Sequence, residues 1–235
     1  MKLITLDFEG TLVNFQWNLE KAREEVLGTL VEKGIAREIF CNANYAAIYN
    51  LVREKSTEWG FNGDHLISLI DRIYDFYDMD AASRWQPAAG VYEVLQQLGE
   101  YKIALVTNVG KKGLTKALAQ LGLENSFDLI ITRNDTRLLK PASDALLQAM
   151  DWAGVKREDA IHIGDSLADY YAARSAGIKI GIVLGGENEP EILLREKPDI
   201  IMHQLSELPS ALKKYTFNRE TGRLFLDFNI PGTIL

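Results

Sequence analysis

Cysteine is almost absent from this chain of 235 residues, which contains a single thiol, Cys41. One cysteine excludes an intrachain disulfide framework and is typical of a reducing compartment. The features of a secretory leader are also missing, because Met1 and Lys2 lead directly into a strand pattern and no apolar run has the length of a membrane span. We therefore expect a cytoplasmic protein without a membrane partner.

Positive charge is in deficit, with 26 Lys and Arg residues against 33 Asp and Glu residues and a net charge of −7. This balance argues against a protein that binds nucleic acid or anionic membrane through bulk charge. Hydrophobic residues, in contrast, make up 47% of the chain, which is enough for a real interior. The length suits one large domain or a core with a smaller insert.

The residue pattern divides the chain. After a first apolar strand that begins at Leu3, helical periodicity without a convincing strand extends from Asn18 to about Tyr77. From Gly90 onward, short β-branched segments alternate with helices of about ten residues, the pattern of a parallel sheet with helices on both faces. We predict an α/β protein with a doubly wound sheet and a domain boundary near Pro87.

The last segment, residues 214–235, breaks this alternation. It is predicted to be a β-hairpin extension with strands at Tyr215–Asn218 and Arg223–Phe228. The hairpin either covers an edge of the chain's own sheet or brings the apolar side chains of its second strand against another subunit. A monomer and a homodimer therefore both stay open.

Two carboxylates, Asp7 and Glu9, follow the first strand. Residues two apart in a strand project from the same side, and buried acids need a cation or hydrogen-bond donors. The pair indicates either a reacting centre, in which one carboxylate attacks and the other transfers a proton, or an ordinary acidic turn in solvent.

Polar side chains also follow later strands or precede later helices, near the edge of the sheet where ligands bind in such folds. They are Thr107, Asn108, Lys140, Asp165 and Asp169. Asp169, four residues beyond Asp165, could orient Lys140 or a metal-bound water, and it belongs to the candidate metal site.

Each of these side chains has a task if the substrate is a phosphate ester. Asp7 would accept the phosphoryl group, and because a carboxylate repels a dianion, the site needs a cation and fixed donors. Asp165, with Asp7, would hold Mg²⁺, which prefers oxygen ligands. Lys140 would neutralise further charge, while Thr107 and Asn108 would donate hydrogen bonds to phosphate oxygens.

These segments resemble the four signature motifs of the haloacid dehalogenase superfamily, most closely its phosphoglycolate-phosphatase-like branch. The resemblance implies a Rossmann-like core and an inserted α-helical cap, Mg²⁺ dependence and an aspartyl-phosphate intermediate. It also implies that Glu9 gives a backbone carbonyl to the metal while its side chain acts as acid and base. Gly10 and Thr11 are, with Asn108, the predicted substrate-binding residues. The matching segments are residues 7–12, 107–108, 140–141 and 164–169, the predicted core is residues 1–14 and 86–213, and the predicted cap is residues 15–85.

Glu9 departs from the commonest pattern, because most phosphatases of the superfamily have Asp at this position. The enolase-phosphatase branch resembles this chain in using Glu, but its other signatures are not evident. The dehalogenase branch lacks an acid here, so phosphoryl transfer is favoured. We predict a Mg²⁺-dependent phosphatase for a small phosphorylated metabolite; the alternatives are a sugar-phosphate mutase and a phosphate-sensing or partner-binding module with little turnover.

The resemblance implies that the cap selects the substrate. Arg53 could bind a second anionic group or lie on a solvated face, and Arg133 could approach the pocket or be exposed. Trp17 and Trp85 are interpreted as packing residues, and His162 as a core histidine rather than a metal ligand.

Overall fold

The computed structural model describes residues 1–221. Within this range six parallel strands form a single sheet in the order β3-β2-β1-β4-β5-β6. The strands are short and mostly buried, as expected where helices cover both faces of a parallel sheet. Their bounds are β1 Leu3–Leu6, β2 Lys102–Val106, β3 Leu129–Ile131, β4 Ala160–Gly164, β5 Lys179–Val183 and β6 Ile200–Met202.

Helices connect the strands and pack on both faces. On one face, α6 and α7 cover one set of strand side chains, and on the other lie α4, α5 and the helices that follow β1. This arrangement confirms the predicted doubly wound α/β fold. The helices are α1 Leu19–Glu32, α2 Tyr45–Lys55, α3 Gly63–Ala81, α4 Val91–Gln97, α5 Lys111–Leu121, α6 Asp144–Ala153, α7 Leu167–Ala176, α8 Pro190–Arg195 and α9 Leu208–Thr221.

Residues 15–85, which we call the helical insert, contain α1, α2 and α3. The side chains of Asn18, Asn44 and Asn62 each accept a backbone hydrogen bond at the start of one of these helices, which explains where they begin. The chain enters and leaves the insert side by side, because Ala88 N donates to Leu12 O at 2.8 Å. The segments through which the chain enters and leaves the insert, which we call its linkers, therefore both lie next to the end of β1.

A buried ionic cluster joins the insert to the sheet. Arg133, which follows β3 and is 1% exposed, donates to Asp71 at 2.9 Å, to Asp75 at 2.7 Å and to Asp78 at 2.9 Å, all on α3. Its guanidinium also lies 5.5 Å from the ring centroid of Tyr74. Of its two predicted locations, exposure to solvent is wrong. Arg133 does approach the pocket from behind its lining, because it donates to Asp78 and to the backbone carbonyl of Asn108, which both line the cleft.

The predicted first strand of the C-terminal hairpin is wrong. Residues 215–218 lie in α9, which packs on β6 and α4. Extending a helix that has already formed adds one hydrogen bond per residue, and this outweighs the local β preference of Tyr, Thr and Phe. The predicted second strand, Arg223–Phe228, lies outside the described residues. Over residues 1–221, no helix combines the length and apolarity needed to cross a bilayer.

Candidate active site

A buried lysine stands at the centre of the site. Lys140 Nζ donates to Asp7 Oδ1 at 2.5 Å, to Asp169 Oδ1 at 2.5 Å and to Val106 O at 3.1 Å. Burial by itself would lower the pKa of Lys140, but the charges of Asp169 and Asp7 raise it above its ordinary value. The ammonium group therefore stays charged, and its three hydrogens are all in use.

Asp169 is surrounded by donors. Its Oδ1 also lies 2.9 Å from His162 Nε2, and its Oδ2 accepts from Ser166 N at 3.1 Å, Ser166 Oγ at 2.5 Å and Asp165 N at 3.3 Å. Although burial raises the pKa of Asp169, Lys140 and then His162 lower it well below its usual range. Of the two tasks predicted for Asp169, this geometry supports the orientation of Lys140.

Glu9 is fixed through one oxygen by both linkers of the helical insert. Its Oε1 accepts from the backbone N of Gln16 at 2.6 Å and of Trp17 at 2.7 Å, and from Trp85 Nε1 at 2.8 Å. Burial raises the pKa of Glu9 to about 7, against the opposing effect of these donors. The carboxyl group can therefore hold or release a proton near neutral pH.

The Asp165 carboxylate fills a tight cradle. Thr11 Oγ1 donates to its Oδ1 at 3.1 Å, and the backbone N of Glu187 donates to its Oδ2 at 2.6 Å. A Cβ added at Gly10 or Gly186 would overlap this carboxylate. Gly10 and Thr11 thus support Asp165, and their contact with substrate stays a prediction.

Three carboxylates at this edge suit a hard divalent cation. One oxygen each from Asp7, Asp165 and Asp169 lie within 4.8 Å of one another. Burial raises the pKa of Asp165 well above its usual range, and the charges of Asp169 and Asp7 raise it further. A cation bound between these buried acids would offset the repulsion among them. The donor atoms are all oxygens, which are the ligands that Mg²⁺ prefers. Asp165 and Asp7 have the fewest competing donors.

Asn108 connects two segments beside Lys140. Its Oδ1 accepts from Lys140 N at 3.0 Å, and its Nδ2 donates to Lys140 O at 3.0 Å and to Tyr45 Oη at 3.2 Å. Thr107 Oγ1 accepts from Val109 N at 3.2 Å. Both Thr107 and Asn108 line the cleft, as predicted site residues should, and their hydrogen bonds to phosphate stay a prediction.

The cleft in front of these groups has a volume of about 460 Å³, including its open mouth. Sequence reasoning missed two residues of its lining, Tyr45 and Glu187. It also missed the hydrogen bond that a third residue, Trp85, makes to Glu9. Trp85 packs edge-on against Phe8 with centroids 5.0 Å apart, so it does pack as predicted, but its indole N–H also binds Glu9. A tryptophan directly before the predicted domain boundary was the available signal.

Comparison with known proteins agrees with this geometry. A family model described as haloacid dehalogenase-like hydrolase matches residues 4–183. Pyrophosphatase PpaX of Halalkalibacterium halodurans is 33% identical over 126 residues, which cover 49% of this chain and 59% of that relative, so the match spans less than two thirds of the relative's length. Phosphoglycolate phosphatase 1 of Pseudomonas aeruginosa is 26% identical over 216 residues, covering 88% of this chain and 78% of that protein.

Solved structures share the fold. The crystal structure of a predicted phosphatase from Clostridium acetobutylicum has a TM-score of 0.63 at 19% sequence identity. The superposition covers 91% of this chain and 98% of that one. At this identity the likeness shows the architecture alone.

Proposed function

The chain belongs to the haloacid dehalogenase-like hydrolases, and from that premise we propose that it is a Mg²⁺-dependent phosphatase for a small phosphorylated metabolite. The observation that carries the proposal is the position of the Asp7 carboxylate, which lies against the Lys140 ammonium and within metal-binding distance of Asp165. A nucleophile, a fixed positive charge and a cation site meet at the end of β1.

In the first half-reaction an Asp7 oxygen attacks phosphorus while the bond from phosphorus to the leaving oxygen breaks. Lys140 offsets negative charge at the site, and Asp169 holds its ammonium in place. Asp7 and Asp165 would hold Mg²⁺, which when bound supplies positive charge to the phosphoryl oxygens. The product is an aspartyl phosphate and a leaving alkoxide that needs a proton.

Glu9 supplies that proton. All three donors to its carboxyl group donate to Oε1, so Oε2 is left to carry the proton. In the second half-reaction the ionised Glu9 takes a proton from the water that attacks the phosphorus of the aspartyl phosphate. Inorganic phosphate leaves, and Asp7 and protonated Glu9 are restored. Such proton transfer contributes about 10²–10⁴-fold to rate.

We propose that the helical insert is the cap of this enzyme. Two observations support this domain assignment: the insert forms one wall of the cleft, and both of its linkers hold Glu9. The proton-transfer group is thereby connected to the position of the insert.

The test is release of inorganic phosphate from an aryl phosphate, with Mg²⁺ and with a chelator. Asp7→Asn should lower the rate of phosphate release by at least about 10³-fold, since it removes the nucleophile. Asp151→Asn, at an exposed position, is the matched control and should behave as wild type. Metal-independent turnover, or turnover by Asp7→Asn, would contradict the proposal. Conversion of one sugar-phosphate isomer to another without net phosphate release would instead identify a mutase.

A further inference from the structure

One wall of the cleft is largely aromatic and apolar. The helical insert contributes Phe15, Trp17, Leu19 and Tyr45 to it. Trp17 is 8% exposed, and its ring centroid lies 4.8 Å from that of Tyr45 and 5.4 Å from that of Tyr74. Packing on several sides fixes this indole, so the wall is a preformed surface for the part of the substrate that leaves.

Positive charge is missing from this wall. Among the side chains of residues 1–215, Lys140 alone contributes a Lys or Arg side chain to the cleft lining, and it is bound to two carboxylates. Arg53 pairs with an exposed aspartate at 2.9 Å, and Arg84 pairs with another at 2.8 Å. The remaining charged side chains outside the phosphoryl and proton-transfer groups are Asp78, which is paired with Arg133, and Glu187. A second anionic group on the substrate would therefore find no free counter-charge in this lining.

Neutral hydrogen-bond donors are present in its place. Trp17 Nε1 is buried and has no hydrogen-bond partner among the described residues. Buried donors are nearly always satisfied, and because Trp17 is one of the residues that line the cleft, its unpaired indole N–H is the candidate partner for an acceptor on the ligand. The Tyr45 hydroxyl accepts from Asn108, which leaves its own proton to donate.

We infer that the leaving group is an uncharged alcohol with an aromatic or apolar face and a hydrogen-bond acceptor, and that Trp17 and Tyr45 select it. This inference rests on the proposed phosphatase function and names its substrate class. It separates this chain from the activities in its relatives' names, since pyrophosphate and phosphoglycolate each carry a second anionic group.

The test compares two esters that differ in one charge, 4-carbamoylbenzyl phosphate and 4-carboxybenzyl phosphate, alongside phosphoglycolate and pyrophosphate, all with Mg²⁺. 4-Carbamoylbenzyl phosphate, whose leaving group is uncharged, should have the highest kcat/KM. It should exceed each compound that carries a second anionic group by about tenfold or more, because like charges repel strongly in a partly buried site. If a compound with a second anionic group is the better substrate, the inference is overturned while the phosphatase proposal stands. If none of the four releases phosphate, the phosphatase proposal fails and this inference with it.

Two variants assign the selection to the wall. Trp17→Phe keeps the ring but removes the donor, and should lower kcat/KM for the carbamoyl ester by about three- to tenfold, whereas Trp152→Phe, on the exposed face of α6, should not. Leu19→Arg should raise the ratio of phosphoglycolate to carbamoyl-ester turnover by about tenfold. Its control, Val31→Arg, adds the same charge to α1 about 18 Å away. A wild-type kcat/KM for the carbamoyl ester in Trp17→Phe, together with a wild-type turnover ratio in Leu19→Arg, would overturn the inference.

Discussion

Trp85→Phe tests whether the linkers of the helical insert set the pKa of Glu9. Trp85 is 4% exposed, and its indole N–H donates to Glu9 Oε1 at 2.8 Å. Phe keeps an aromatic ring against Phe8 but removes the donor. Because the hydrogen bond stabilises the carboxylate, its loss raises the pKa of Glu9 above the value of about 7 found with the donor present.

The size of the shift follows from the strength of the bond. A hydrogen bond to a charged group contributes about 1.5–3 kcal/mol, and about 1.4 kcal/mol corresponds to one pKa unit. The backbone donors of Gln16 and Trp17 remain and compensate in part. We therefore expect the pKa of Glu9 to rise by about one unit.

The assay is the pH dependence of kcat/KM for an alkyl phosphate, whose leaving oxygen needs the Glu9 proton. Wild-type kcat/KM should fall above pH of about 7, as Glu9 ionises, and the fall in Trp85→Phe should lie about one pH unit higher. With 4-nitrophenyl phosphate, whose leaving group needs little protonation, the fall should be weak in both. Trp152→Phe is the matched control. If the fall stays at the wild-type pH in Trp85→Phe, or moves to lower pH, the indole N–H of Trp85 does not lower the pKa of Glu9.

Two further predictions concern buried charge and the metal cradle. Arg133→Met removes the cation shared by three α3 aspartates, of which Asp75 alone keeps another, Lys112. It should lower the free energy of unfolding by about 3–5 kcal/mol in urea titration, whereas the exposed Arg137→Met should not. Equal midpoints would show that the cluster contributes nothing. Gly186→Ala introduces a Cβ that overlaps the Asp165 carboxylate, so half-maximal activation should need at least about tenfold more Mg²⁺. Gly28→Ala, where a Cβ meets no neighbour, is the control. Wild-type Mg²⁺ dependence in Gly186→Ala would contradict the claim that Gly186 makes room for the Asp165 carboxylate.

The sheet and the position of the candidate site could be predicted because both depend on local patterns. Alternating apolar strands and helices specify a parallel sheet, and the carboxyl ends of its strands meet at one edge. Asp7 and Asp165 stand out there because charged side chains directly beside buried strands need a partner, and the structure brings them together with Lys140, which precedes α6.

Contacts between distant segments could not be predicted in this way. Arg133 lies 55 residues from Asp78 in the chain, and no periodicity connects a residue after β3 with the buried side of α3. Trp85 lies 76 residues from Glu9, so its hydrogen bond depends on how both ends of the helical insert meet. The local β preference of residues 215–218 wrongly predicted a strand, because packing of the preceding turns of α9 decides the conformation there.

The most direct test of the central claim is a rapid acid quench of the enzyme during turnover with Mg²⁺, followed by mass measurement of its peptides. Acyl phosphates form only if a carboxylate attacks phosphorus. We expect a peptide heavier by one phosphoryl group, with the group on Asp7, and no such peptide from Asp7→Asn. Turnover without any phosphorylated peptide, or a phosphoryl group on Ser166 or Thr107, would contradict this expectation.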